Sequence, residues 1–149
     1  MIRGLVIYAT VSVAACSNSI APVELRQLVE AESRWKSRGI QSYTFEMRTS
    51  CFCPQEITEW AVVEVRAGQI VAARSLTGTP LTGISLESRK TVDELFDAAK
   101  PPYQEWIGDV EFDFHDDLGY PLRINLIGKP NIADAGTLYE ARNLVAISP

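Results

Sequence analysis

The chain has 149 residues, 46% of them hydrophobic, with 14 basic and 19 acidic side chains and a net charge of −5. That length suits one domain with its own core, and the apolar content excludes a disordered chain. Acidic balance with scattered Lys and Arg also excludes a nucleic-acid footprint, which needs clustered basic residues.

The first residues, "MIRGLVIYATVSVAACSNS", place Arg3 before an apolar run from Leu5 to Ala15 and then a small-residue site. This is the layout of an export signal, and the run is shorter than the roughly 20 apolar residues of a membrane span. Val13-Ala14-Ala15-Cys16 resembles a bacterial lipobox. That resemblance implies cleavage before Cys16, acylation of its thiol and amino group, and anchoring by several acyl chains, which is stable where one chain is not. Ser17 rather than Asp follows, which directs such a protein to the outer membrane, facing the periplasm. The expected division is residues 1–15 as signal, 16–22 as acylated Cys and short tether, and 23–149 as a single domain. Cutting fifteen residues from 149 leaves 134, with 13 basic against 19 acidic side chains.

Pro22 can open a helix at its first turn. Leu25, Leu28, Val29 and Trp35 follow at helical spacing until Gly39 offers a left-handed stop. "QSYTFEMRTSC" then alternates, with Tyr43, Phe45 and Met47 on one face, which predicts a half-buried strand. "EWAVVEVR" and "QIVAARS" are two further strands joined at Ala67-Gly68, and residues 76–90 read as a loop. Thr91 and Glu94 form a capping box before the stripe Val92, Leu95, Phe96 and Ala99. "DVEFDFH", "YPLRINLI" and a last strand near residues 138–147 complete the chain. The expected fold is α+β: an antiparallel sheet of about six strands with two amphipathic helices on one face, in the order α-β-β-β-α-β-β-β. The two halves share that order with little residue identity.

No catalytic constellation emerges. His115 is the sole histidine, on the polar side of a strand beside a turn. Asp113, His115 and Asp117 imitate the start of a calcium loop, but Leu118 and Ile124 stand where such a loop needs Gly and Glu. A turn with Gly119 in the left-handed position accounts for these residues without a metal. No cofactor motif is present.

Cys51 and Cys53 in "TSCFCPQE" are left as a pair once Cys16 is acylated, in an oxidising compartment. The leading reading is a disulfide; reduced buried thiols and a redox pair are the alternatives, while a metal clip lacks further ligands. Residues i and i+2 of a regular strand lie about 6.6 Å apart, so a disulfide requires the strand to bend before Pro54.

Trp35, "IQSYTFEM" running into "CFCP", "TVDELFD" and "FDFHDDLGYPLRI" resemble the bacterial family DUF6174, a domain of unknown function, over roughly residues 30–147. The resemblance implies a small exported protein, often lipid-anchored, with no established activity. His115 departs from the Tyr commoner at that position. The functional expectation is a non-enzymatic envelope protein held to the membrane by the lipid on Cys16, with an envelope protein as partner. Phe52, Trp60, Val62 and His115 are its candidate surface residues. The alternatives are a periplasmic thiol-disulfide protein using Cys51 and Cys53, or a purely structural envelope component.

Overall fold

The computed structural model describes residues 23–147, so the expected signal, the Cys16 anchor and the tether lie outside the described residues. Helix α1 (Val23–Ser37) buries Leu28, Ala31 and Trp35, which recur at i, i+3 and i+7 and so share one face. Val29 is 57% exposed. The stripe passes through Ala31 instead, because 3.6 residues per turn bring Ala31 under Leu28 and carry Val29 around to solvent.

Strand β1 (Tyr43–Ser50) alternates without a break: Tyr43, Phe45, Met47 and Thr49 point into the core, and Thr44, Glu46, Arg48 and Ser50 point away. The one-turn helix α2 (Gln55–Thr58) leads to strands β2 (Ala61–Arg66) and β3 (Gln69–Ser75). Their hairpin turns at Ala67 and Gly68, with φ of 48° and 78°, the two positive values that a two-residue turn matched to the strand twist demands. The chain then crosses over through α3 (Ile84–Glu87) and α4 (Val92–Ala98) to β4 (Ile107–Phe114), β5 (Pro121–Gly128) and β6 (Thr137–Ala146).

The result is an α+β fold with one open six-stranded sheet in the order β3-β2-β1-β6-β5-β4, antiparallel throughout. Helices α2 and α3 are additions to the element order read from the sequence. Each is four residues long, too short to show a period. The two halves also join differently, the first through its first strand β1 and the second through its last strand β6.

The core lies where aromatic rings from both halves meet. Trp35 stands edge-on to Tyr43 at 5.5 Å and to Tyr120 at 6.5 Å, and Phe96 stacks on Phe114 at 6.1 Å. The Tyr43 hydroxyl accepts the Val92 backbone N–H at 2.9 Å, so the first turn of α4 is tied to the central strand. Thr91 and Glu94 close the capping box reciprocally. In β6 the regular alternation breaks at Asn143, whose φ is 54°. The register with β1 shifts between Thr44 and Glu46. Ala141 and Leu144, three apart, thereby both reach the core, the expected effect of a bulge.

Candidate functional site

Strand pairing brings several strand ends to one end of the sheet. Ser50 pairs with Leu138, Leu126 with Thr137, Ile107 with Gly128, and Ala61 with Ser75. The end of β1, with the "CFCP" segment that follows it, therefore shares this end with the starts of β2, β4 and β6. The hairpin turns Ala67-Gly68 and Asp116–Gly119 lie at the other end.

Cys51 and Cys53 are placed as a disulfide, with Cα atoms 5.3 Å apart. That is shorter than the spacing of a regular strand, so the backbone turns a corner directly after β1. Both cysteines are half-buried, while Phe52 between them is 85% exposed. Pro54 then caps α2. Cys53 thus stands two residues before a helix start, which the sequence did not reveal, but a single turn carries little of a helix dipole. The ring closed by this pair is tiny, so its entropic stabilisation is small. Replacing both Cys51 and Cys53 by serine is expected to cost about 1.5 kcal/mol or less, read from the urea midpoint at unchanged slope.

The helical turn that follows the corner is held by Arg89. This side chain is almost fully buried, and its guanidinium donates to three backbone carbonyls: Ser85 at 2.9 Å, Glu59 at 3.1 Å and Glu56 at 3.1 Å. Burial lowers its pKa, opposed by the Glu59 carboxylate. The fork of five donors spans the ends of α2 and α3 in one rigid group. Nothing in the sequence marked Arg89, since a single Arg in a Ser/Thr/Gly-rich loop carries no local signal.

Trp60 and Val62 both face away from the helices, on the open side of the sheet, and both are half-buried there. The Arg142 guanidinium lies 4.0 Å from the Trp60 ring centre and that of Arg48 lies 5.0 Å from it, both within cation–π range. Each arginine is also paired with a glutamate, Arg142 with Glu46 at 2.8 Å and Arg48 with Glu140. Asn143 and Arg142 hydrogen-bond the Glu46 carboxylate and hold its pKa below the usual value. Arg66–Glu64 and Arg123–Glu111 continue the pattern. The open face therefore carries four Arg–Glu pairs, two of which hold their arginines over the Trp60 indole. Such exposed pairs add little stability; what they fix is the position of the arginines over Trp60.

His115 is not part of this arrangement. It sits at the opposite end, stacked on Tyr120 at 5.0 Å. Its Nδ1 accepts the backbone N–H groups of Asp117 and Leu118 at 3.2 and 3.3 Å, which folds the ring into its own turn. The structure thus brings Trp60 and Val62 together on one face, sets Phe52 at the adjoining strand end, and leaves His115 apart. Among the described residues, no group of three or more His, Cys, Asp or Glu side chains could hold a metal ion, and no helix is long and apolar enough to cross a membrane.

A model of a family of unknown function, DUF6174, matches residues 27–146, and that span holds the corner, the Trp60 face and both aromatic clusters of the core. No curated protein and no solved structure matches the chain. With four-fifths of its length inside the match, the chain belongs to the family of unknown function DUF6174.

Proposed function

We propose that this protein is a non-enzymatic, lipid-anchored component of the bacterial cell envelope, held by acyl chains on Cys16 in the outer membrane, whose open sheet face docks an envelope protein. The observation that carries the binding reading is the Trp60 platform. A large aromatic ring, clamped between Arg48 and Arg142 and ringed by paired charges, has the composition of an interface hot spot, where Trp and Arg dominate. Its charges are already balanced, so a partner meets a surface with a preset pattern of acceptors and donors. Complementary pairing of that kind gives specificity more than affinity.

A photo-reactive residue placed at Val62 in cells tests the reading. The expected result is one reproducible cross-linked product that disappears in Trp60→Ala and Arg142→Ala backgrounds and is absent when the probe stands at His115. No product from position 62, together with unaltered envelope behaviour on deletion of the gene, would contradict it.

A further inference from the structure

The exposed aromatic side chains gather at one end of the molecule. Phe52 (85% exposed), Trp106 (43%) and Tyr103 (36%) are the exposed aromatics among the described residues. Phe52 follows β1, whereas Tyr103 and Trp106 precede β4, and these two strand ends lie at the same end of the sheet. Two exposed aliphatic residues join them. Leu76 follows β3, and Ile132 lies in the β5–β6 loop, which is tied to Trp106 through the Lys129 N–H on the Trp106 carbonyl at 2.8 Å.

The described residues also begin at this end. Residues 38–42 join the last turn of α1 to Tyr43, at the far end of β1, so the helix begins near the opposite end, where Glu24 and Leu25 line one cleft with Tyr103 and Ile107. Six residues separate Cys16 from Val23, seven chain steps with a reach of at most about 25 Å. A lipid on Cys16 therefore tethers the domain by this end.

We infer that this end of the sheet rests on the membrane, with Trp106, Phe52, Tyr103 and Ile132 inserted at the headgroup level of a zwitterionic phospholipid surface. Trp and Tyr favour that depth because one part of the ring system is apolar and the other hydrogen-bonds. The charges specify the lipid class. Glu56 and Glu59 follow Phe52 in the chain, Glu105 precedes Trp106, and Lys129 is tied to Trp106, while Lys90 and Lys100 line a cleft with Asp97 and Tyr103. Lys100 is paired with Glu32 and Asp97, so the described charges at this end are mixed in sign and give anionic headgroups little to gain. Seating in this way turns the Trp60 face sideways, roughly along the membrane normal, where a neighbouring envelope protein can reach it. The inference rests on the proposed anchor, and its test separates the two.

The acylated protein purified from membranes is reconstituted into phosphatidylcholine vesicles, with or without brominated acyl chains, and its tryptophan emission is compared. The structure provides three reporters at different places: Trp35 in the core, Trp60 on the open face and Trp106 at the proposed seat. Quenching by brominated lipid is expected in the wild-type protein and in Trp60→Phe, and at least a twofold smaller effect in Trp106→Phe. Phe52→Ser with Ile132→Ser is expected to weaken quenching of Trp106 while the far-ultraviolet spectrum stays unchanged. Protein that floats with the vesicles while its tryptophans remain unquenched would overturn the seating and leave the anchor intact. Quenching that survives Trp106→Phe would overturn it as well, as would an unquenched Trp106 covered by a second copy in cross-linked dimers. Failure to float at all would overturn both the anchor and the seat.

Discussion

Replacing Gly119 by alanine is expected to destabilise the protein by about 3 kcal/mol. Gly119 has a φ of 81°, which L side chains rarely adopt. A Cβ there would run into the Ala31 carbonyl oxygen and come within 3.0 Å of both Arg34 Cβ and the Trp35 backbone nitrogen. These are helix atoms that cannot yield without moving α1 off the sheet. The same turn carries the Gly119 N–H on the His115 carbonyl at 2.8 Å and leads into Tyr120, which packs on Trp35. Displacement would therefore reach the aromatic core. Gly39 supplies the control: its φ is 64°, yet nothing lies within 4 Å of an added Cβ. Gly39→Ala should cost only the left-handed backbone term, about 1–2 kcal/mol. Urea denaturation of the two variants side by side separates strain from collision. A Gly119→Ala protein no less stable than Gly39→Ala would show that the turn does not press on α1.

Arg89→Met should cost about 3 kcal/mol and loosen one end of the molecule more than the other. The methionine stem keeps most of the packing volume, so the loss falls on three charge-assisted hydrogen bonds, which are each worth more than neutral ones. Removing the guanidinium leaves the carbonyls of Ser85, Glu59 and Glu56 without that donor. Because these carbonyls belong to α2, to the residue that follows it and to α3, amide exchange should quicken from Cys53 to Trp60 and around Ile84 to Ser88. The hairpin turn at Ala67-Gly68, at the far end, should exchange as before. Arg89→Lys is the sharper comparison, since an ammonium is a point donor and cannot span three carbonyls. It should recover less than half of the loss. A Lys variant as stable as wild type would mean that the charge matters and the fork does not.

Much of the fold was legible because β1 obeys period two and the β2–β3 hairpin carries its turn residues in sequence. Tyr43, Phe45 and Met47 alternate without interruption, and Gln69–Ser75 occupies the span its sequence marks. The capping box at Thr91 and Glu94 is a local device and was readable locally. What escaped the sequence depends on distant parts of the chain. Ala31 rather than Val29 faces the core, a choice the tertiary packing makes between two apolar neighbours. Helices α2 and α3 are single turns with no period to detect. Arg89 acquires its role only when two segments some thirty residues apart fold over it. The clamp on Trp60 draws Arg48 from β1 and Arg142 from β6, far apart in sequence and on neighbouring strands of the sheet. The gathering of Phe52, Tyr103 and Trp106 likewise follows from strand register, which alternation alone does not set. The pair Cys51 and Cys53 and the outward Phe52 between them were visible as a motif; the single helical turn that follows the corner was not.

The proposed lipid on Cys16 would bring this domain, with its pinned corner, to a membrane surface. The most direct test is the intact mass of the protein purified from membranes. The proposed account requires a chain beginning at Cys16, carrying the mass of acyl chains and lacking two hydrogens relative to the fully reduced Cys51 and Cys53. A mass corresponding to an uncut chain, to cleavage elsewhere, or to an unmodified Cys16 would contradict it.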